Sequence, residues 1–333
     1  MQDLSSKQHF IGCDVSKNTL DIALYQRKTD YRNFEHIRVS NDVTGYATFL
    51  KWLRSKKITI SEVVVGMEHT GFYSVAFSEW LFKKKITFCL LHPIDVKNAC
   101  ARGRNKTDMV DSQFIADYLY TMREKLSPSD PEPKVIKTLR GLRNERALAV
   151  KMRTAYINQM KTGNDSTTIK RMKKMIEMIT NQIHQIEAEI KSVIQSDESI
   201  NTNFKLLMSI HGIGLVNAIT VIVATGNFTR FKTARQYAKF CSVSPLSTQS
   251  GTSVRGGNHV SKAGHNELKS VLSEAARSAI MYDSQLSDYY ARKRAEGKTH
   301  GCVMNAVKFK LVCRMFAVIS RQAPYVDIEK YKS

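Results

Sequence analysis

Between residues 169 and 193 an apolar side chain recurs at alternating spacings of three and four: Ile169, Met172, Ile176, Ile179, Ile183, Ile186, Ile190 and Val193. A strand cannot gather these on one face, because its side chains alternate at every residue. The pattern requires a helix with one narrow apolar seam, about three and a half heptads or roughly 37 Å long at 1.5 Å per residue. An earlier arm carries Leu139, Leu142, Ala149, Tyr156 and Met160 in the same register, interrupted by Arg146 and Arg153. "KTGNDSTT" between the arms is turn-like, so the segment reads as a coiled-coil helical hairpin. Two roles suit such a hairpin: a pair packed on its own domain, or an arm for self-association, which isoleucine-rich seams favour.

The flanks differ from the hairpin and from each other. Residues 1–126 alternate strand and helix signals. "HFIGCDVS", "LDIALYQ" and "NFEHIRVS" read as strands, and "DVTGYATFLKWLRS" as an amphipathic helix. "EVVVGME" reads as a buried strand, "GFYSVAFSEWLFKK" as a helix and "ITFCLL" as a strand; a short helix and a longer one from Asp108 follow. "SPSDPEPK" (127–134), with three of the six prolines, ends this region. The expected organisation is an α/β domain over 1–126, a linker and hairpin over 127–200, and a mostly α-helical domain over 201–333. The last contains a Ser/Gly-rich loop at 241–264.

Charge narrows the function. The 333 residues include 51 Lys+Arg against 30 Asp+Glu, a net charge of +21. Such an excess predicts a polyanionic partner, with nucleic acid first. A membrane surface is disfavoured, since no basic amphipathic anchor or lipidation motif is present. No apolar run approaches the ~20 residues of a membrane span, and "MQDLSSKQHF" lacks a signal core. Six cysteines form no CxxC pair, so disulfides and structural zinc are not expected and a cytoplasmic setting is.

Against that basic background four acids stand out. Asp14 lies within the apolar strand "IGCDVS", and Glu68 ends "VVVGME". Asp108 and Asp111, three residues apart, share a helix face. Each has an ordinary reading: a turn cap for Asp14, an ion pair for Glu68, and a favourable helix N-terminus for the aspartate pair. Together, and in this order, they suit a site for divalent cations, Mg²⁺ or Mn²⁺, because an acid in a buried strand is costly unless paired or metal-bound. Two such ions would stabilise the attacking and leaving oxygens of a phosphoryl displacement. The neighbouring Lys97, Arg102, Arg104 and Lys106 would grip the adjacent phosphates. The strand and helix order is that of the ribonuclease H fold, and the D…E…D-x-x-D set resembles its RuvC-like branch.

In the last region, "LLMSIHGIGLVNAITVIVATG" resembles a helix-hairpin-helix, in which Gly212 and Gly214 would bring backbone N–H groups to a phosphate. From 227 to 270 seven Lys/Arg face one acid, Glu267. Within "STQSGTSVRGGNHVSKAG", Ser250 precedes a glycine, and Arg255 and Lys262 could bracket a phosphate. A serine so placed could form a covalent link to DNA if activated; an ordinary Ser/Gly loop would look the same.

The motif series "GCDVSK", "GMEHTG", "KTDMVDS", a helical hairpin, "IHGIG" and "SGTSVRG" resembles, over nearly the whole chain, the DEDD transposases of the IS-one-ten family of insertion sequences. These are also called bridge-RNA-guided recombinases, and the pilin-gene invertases are their relatives. The resemblance implies that Asp14, Glu68, Asp108 and Asp111 form a metal-binding tetrad and that Ser250 is the nucleophile, with Ser247 and Ser253 as neighbouring alternatives. It also implies a composite site in which the serine of one protomer meets the tetrad of another. A dimer or tetramer, a 5′-phosphoserine intermediate and a non-coding RNA pairing with donor and target DNA come with it. One position departs: Ser242 stands where the family pattern before Pro245 has glycine. The competing functions are a site-specific DNA invertase of the same fold, a RuvC-like hydrolytic nuclease, and a non-catalytic nucleic-acid-binding protein.

Overall fold

The computed structural model describes residues 4–28, 31–68, 72–91, 95–96, 108–162, 165–244, 249–250, 254–255 and 266–327. The chain divides into two compact units, Met1–Glu132 and Pro133–Ser333, the boundary falling within the proline-rich segment.

The first unit is a five-stranded sheet in the order β3-β2-β1-β4-β5. Strands β1 (His9–Val15), β2 (Thr19–Lys28) and β3 (Tyr31–Ser40) form an antiparallel meander, while β4 (Val63–Glu68) and β5 (Thr87–Leu91) run parallel to β1. The parallel pairs need crossovers, supplied between β1 and β4 by α1 (Val43–Ser55) and between β4 and β5 by α2 (Val75–Lys83). Asp42 starts α1 by accepting a hydrogen bond from Gly45 N. The Val63–Met67 run is buried on both faces, as its continuous apolar sequence requires. One face carries Ile11, Cys13, Leu20 and Ile22 against Phe49, Leu53, Phe77 and Leu81 of the crossover helices. The other carries Phe10, Tyr25 and Val64 against Ile115, Ala116 and Leu119 of α3 (Asp108–Thr121). This mixed sheet between helices fits the ribonuclease H-like arrangement expected for the region. The short helix expected before Asp108 lies largely outside the described residues.

The second unit is built on helices. The hairpin arms are α4 (Lys134–Met160) and α5 (Ser166–Gln195), the latter capped by Asp165, which accepts from the N–H groups of Thr167 and Thr168. Arg146, an interruption of the apolar register, pairs with Glu187 across the hairpin at 2.7 Å. Ile179, Ile183, Ile186 and Ile190 are buried, and at the base Ile194 takes the buried place expected of Val193. A straight helix of 3.6 residues per turn gains on a strict 3.5 repeat, so the buried stripe drifts. The lower half of the hairpin shares one core with α6 (Glu198–Met208), α7 (Leu215–Thr225), α8 (Ala234–Phe240), α9 (Asn266–Tyr282), α10 (Ser284–Ala295) and α11 (His300–Arg321). Nearer the tip Leu148, Met152 and Met178 are exposed. Among the described residues, no helix is long and apolar enough to cross a membrane.

Candidate nucleic-acid-processing site

The acids of the first unit come together because of one glycine. A Cβ on Gly12 would lie 2.0 Å from Ser112 O and 2.3 Å from Ala116 N, so α3 rests with its backbone directly on β1. Asp14 is two residues further along the same face. Asp108 and Asp111, in the turn of α3 that precedes Ser112, lie near enough to act on its charge. The parallel register pairs Gly12 with Gly66 and Cys13 with Met67, so Glu68 emerges beside Asp14 at the carboxyl ends of the two strands. All four sequence-predicted acids therefore belong to one face and one end of the sheet. In open α/β sheets ligands bind at that end.

The electrostatics match the crowding. The Asp14 carboxyl is pushed up from 3.8 to about 6, first by burial and then by the charges of Asp111, Asp108 and Asp21, while the Val15 N–H acts in the opposite direction. Hard carboxylate oxygens suit a divalent cation, and a cation there would relieve the repulsion that favours protonation. Among the described residues, no group of three acidic, histidine or cysteine side chains is already closed to ion-holding distance. The donor chemistry fits a hard metal; the closure is incomplete.

Three further residues, Asp21, His36 and Arg38, belong to this cluster, and sequence reasoning passed them over. Asp21 pairs across from Asp14 in the β1–β2 register and is 2% exposed. Its Oδ1 lies 2.9 Å from His36 Nε2, and both of its oxygens accept from Arg38 Nε at 3.0 Å. Arg38 Nη2 then donates to Asp108 Oδ2 at 3.2 Å. The signal was in "LDIAL", an acid alternating with core residues, as in "IGCDVS"; its partner emerges only once the strand register is known.

In the second unit, Gly212 has φ +89, and a Cβ there would meet Ala275 O at 2.6 Å. Its glycine requirement comes from the close approach to α9. Gly214 is exposed at the N-cap of α7 with no side-chain cap, and a Cβ there would meet nothing within 4 Å. Ser242 follows α8 with φ +53, the left-handed conformation that glycine favours, and Val243 N closes the helix end onto Ala238 O at 2.9 Å. Ser250 lies on a two-residue strand β6 (Gln249–Ser250) paired antiparallel with β7 (Val254–Arg255), Ser250 opposite Val254 and Gln249 opposite Arg255. Lys97, Arg102, Arg104, Lys106, Ser247, Ser253 and Lys262 lie outside the described residues. A cation cluster absent from the sequence reading occurs on α9 and α11. Lys308 is 8% exposed, and its ammonium is pushed below its ordinary value by burial and then by Lys269 and Arg277.

Comparison with known proteins decides the family. Residues 11–163 match the DEDD-type IS110 model, described as Transposase. Residues 204–291 match the model described as Transposase IS116/IS110/IS902 family. The chain belongs to the IS110/IS116 family of transposases. The transposase is 24% identical over 325 residues to the Pilin gene-inverting protein of Moraxella bovis, spanning 95% of this chain and 97% of that protein. It is 26% identical over 158 residues to an uncharacterized 43.6 kDa protein of insertion element IS110 from Streptomyces coelicolor, covering 47% of this chain and 38% of that one. Among solved structures, RuvC of Thermus thermophilus aligns over 37% of this chain and 100% of its own, with 13% identity and a TM-score of 0.28. Membership of a transposase family implies a DNA-cleaving enzyme, and its DEDD type suggests dependence on a divalent metal.

Proposed function

We propose that the transposase cuts and rejoins DNA in the cytoplasm with two cooperating parts. Asp14, Glu68, Asp108 and Asp111 hold one or two divalent cations, and Ser250 supplies the nucleophile. The observation that carries this reading is the gathering of those acids over Gly12, with Asp14 pushed up to about 6. Mg²⁺ or Mn²⁺ held there supplies positive charge for the phosphoryl oxygens. The chain's own residues do the rest. The strand ends fix Asp14 and Glu68, and α3 presents Asp108 and Asp111. The serine hydroxyl gives up its proton and its oxygen bonds to phosphorus as the bond to the 3′ oxygen breaks, the 3′ oxygen taking up a proton and leaving as a hydroxyl beside a 5′-phosphoserine; rejoining reverses both transfers and restores the serine hydroxyl.

Cations serve the nucleic-acid backbone. Lys97, Arg102, Arg104 and Lys106 precede the acid helix, and Arg255 and Lys262 flank the serine. Lys269 and Arg277, the latter paired with Glu274, act on the charge of the buried Lys308, and a phosphate would offset these cations. The exposed Gly214 end of α7 offers backbone N–H groups to another phosphate, while Gly212 serves packing first. A bridging non-coding RNA that pairs with donor and target DNA is the guide, and a dimer or tetramer brings the serine of one protomer to the acids of another. The exposed apolar residues toward the hairpin tip are the surface for that assembly. Inversion of a DNA segment is the second reading, favoured by likeness to the Moraxella bovis protein over nearly the whole chain.

The test is covalent trapping. Labelled substrate DNA, Mg²⁺ and the RNA from the flanking non-coding region are incubated with the protein, which is then denatured. A protein–DNA adduct in wild type, absent in Ser250→Ala, is the expected result. Cleavage without an adduct, unchanged in Ser250→Ala, would make the protein a hydrolytic nuclease instead.

A further inference from the structure

Arg38 joins a buried acid to one of the proposed metal ligands. Asp21 is almost fully enclosed, and its two oxygens take the Arg38 Nε–H. A buried carboxylate must be paired, so this contact is firmly held. The guanidinium is planar, so fixing Nε also aims the remaining N–H groups. One of them, on Nη2, points to Asp108 Oδ2 at 3.2 Å. This second contact is of another kind: both side chains are more than half exposed there, at 54% and 60%. Exposed pairs are weak and easily exchanged. Arg38 thus has a firm grip on Asp21 and a loose one on Asp108.

We propose that Arg38 is a positioning residue that occupies Asp108 Oδ2 as a latch until a divalent cation displaces it. The proposal rests on the reading of the four acids as a metal site. It also rests on geometry: one guanidinium is anchored on the enclosed Asp21 and reaches an oxygen of Asp108, which the cation would need. A divalent cation competes for Asp108 with twice the charge of the guanidinium. Once Asp108 is released, Arg38 stays anchored on Asp21, with Nη2 free to donate to a phosphate oxygen of the bound strand.

The experiment is calorimetric titration of Mn²⁺ into the full chain without nucleic acid. Arg38→Gln is expected to bind Mn²⁺ about tenfold more tightly than wild type, since a competing charge a few ångströms away is gone. In an Asp108→Asn background the same substitution should change the affinity less than twofold. Unchanged or weaker binding by Arg38→Gln would overturn the latch, as would a full tenfold effect in the Asp108→Asn background. If loss of the Asp21 partner unfolds Arg38→Gln, Arg38→Lys decides on the same terms. Lysine keeps a charge for Asp21 without the fork that reaches Asp108, and about threefold tightening is expected. The underlying metal-site reading fails separately, if Asp14→Asn and Asp111→Asn bind Mn²⁺ as well as wild type does.

Discussion

In the first unit carboxylates are driven into strands of an apolar sheet, and Asp14 and Asp21 face each other across one register pair. In the second unit the shared core of the helices is apolar, and the cations gather at its margin around Lys308. The first unit thus marks its chemistry by an energetic penalty, since a half-buried acid among other acids resists ionisation. The second marks its chemistry by backbone geometry that resembles ordinary packing, with a burial penalty of its own at Lys308. Gly212 makes the point. Read alone it is a phosphate-binding glycine; beside Ala275 and Ala279 it is a packing glycine.

The comparison can be broken first at two close backbone approaches, one in each unit. Gly12→Ala should destabilise the first unit, and Gly212→Ala the second, by about 3 kcal/mol or more, from overpacking and, at Gly212, a left-handed backbone. Hydrogen exchange should localise the loss to the sheet in one case and to α7 and α9 in the other. Equal loss in both units from either variant would mean that the units do not fold separately.

A smaller effect has the opposite sign. The Asp14 carboxyl has its folded value raised to about 6 from 3.8. The stability it contributes is therefore fully present below about pH 4 and lost as pH rises through 6. The full linkage would be about 3 kcal/mol, and solvent screening at this half-exposed site reduces it to roughly 1–2 kcal/mol. Metal-free Asp14→Asn should be more stable than wild type by that amount at pH 7 and lose the advantage at pH 4. Denaturant titrations at the two pH values check this.

Ser242→Gly should stabilise the second unit by about 1 kcal/mol, because a non-glycine residue is held at φ +53. A neutral or destabilising result, read from the shift in denaturation midpoint, would mean that Ser242 is held at φ +53 without strain. The smallest effect concerns charge. Lys308→Met should lower the slope of log binding constant against log salt by about 0.9, one phosphate contact. An unchanged slope would remove this cluster from the nucleic-acid surface.

Much of the first unit was legible in sequence, because β-branched runs such as "VVVGME" and acids within apolar strands are local signals. The hairpin was legible too, from its spacing. Its lower end was not, because Ile194 rather than Val193 is buried where the hairpin meets other helices, and that depends on neighbours distant in sequence. The role of Arg146 depends on Glu187, 41 residues away. Arg38 was invisible for the same reason: its partners Asp21 and Asp108 are set by strand register and by the seating of α3, neither of which is local. Lys308, in "VKFK", looks like any helical lysine until α9 packs beside it.

The most direct measurement is Mg²⁺-dependent strand cleavage by wild type and by Asp14→Asn and Asp111→Asn, with nucleic-acid binding measured on the same samples. Loss of cleavage by at least about a thousandfold, with binding changed no more than about twofold, is the predicted result, since the acids hold the charge that the phosphoryl transfer needs. Cleavage retained in either variant would contradict the assignment of these carboxylates as the catalytic centre.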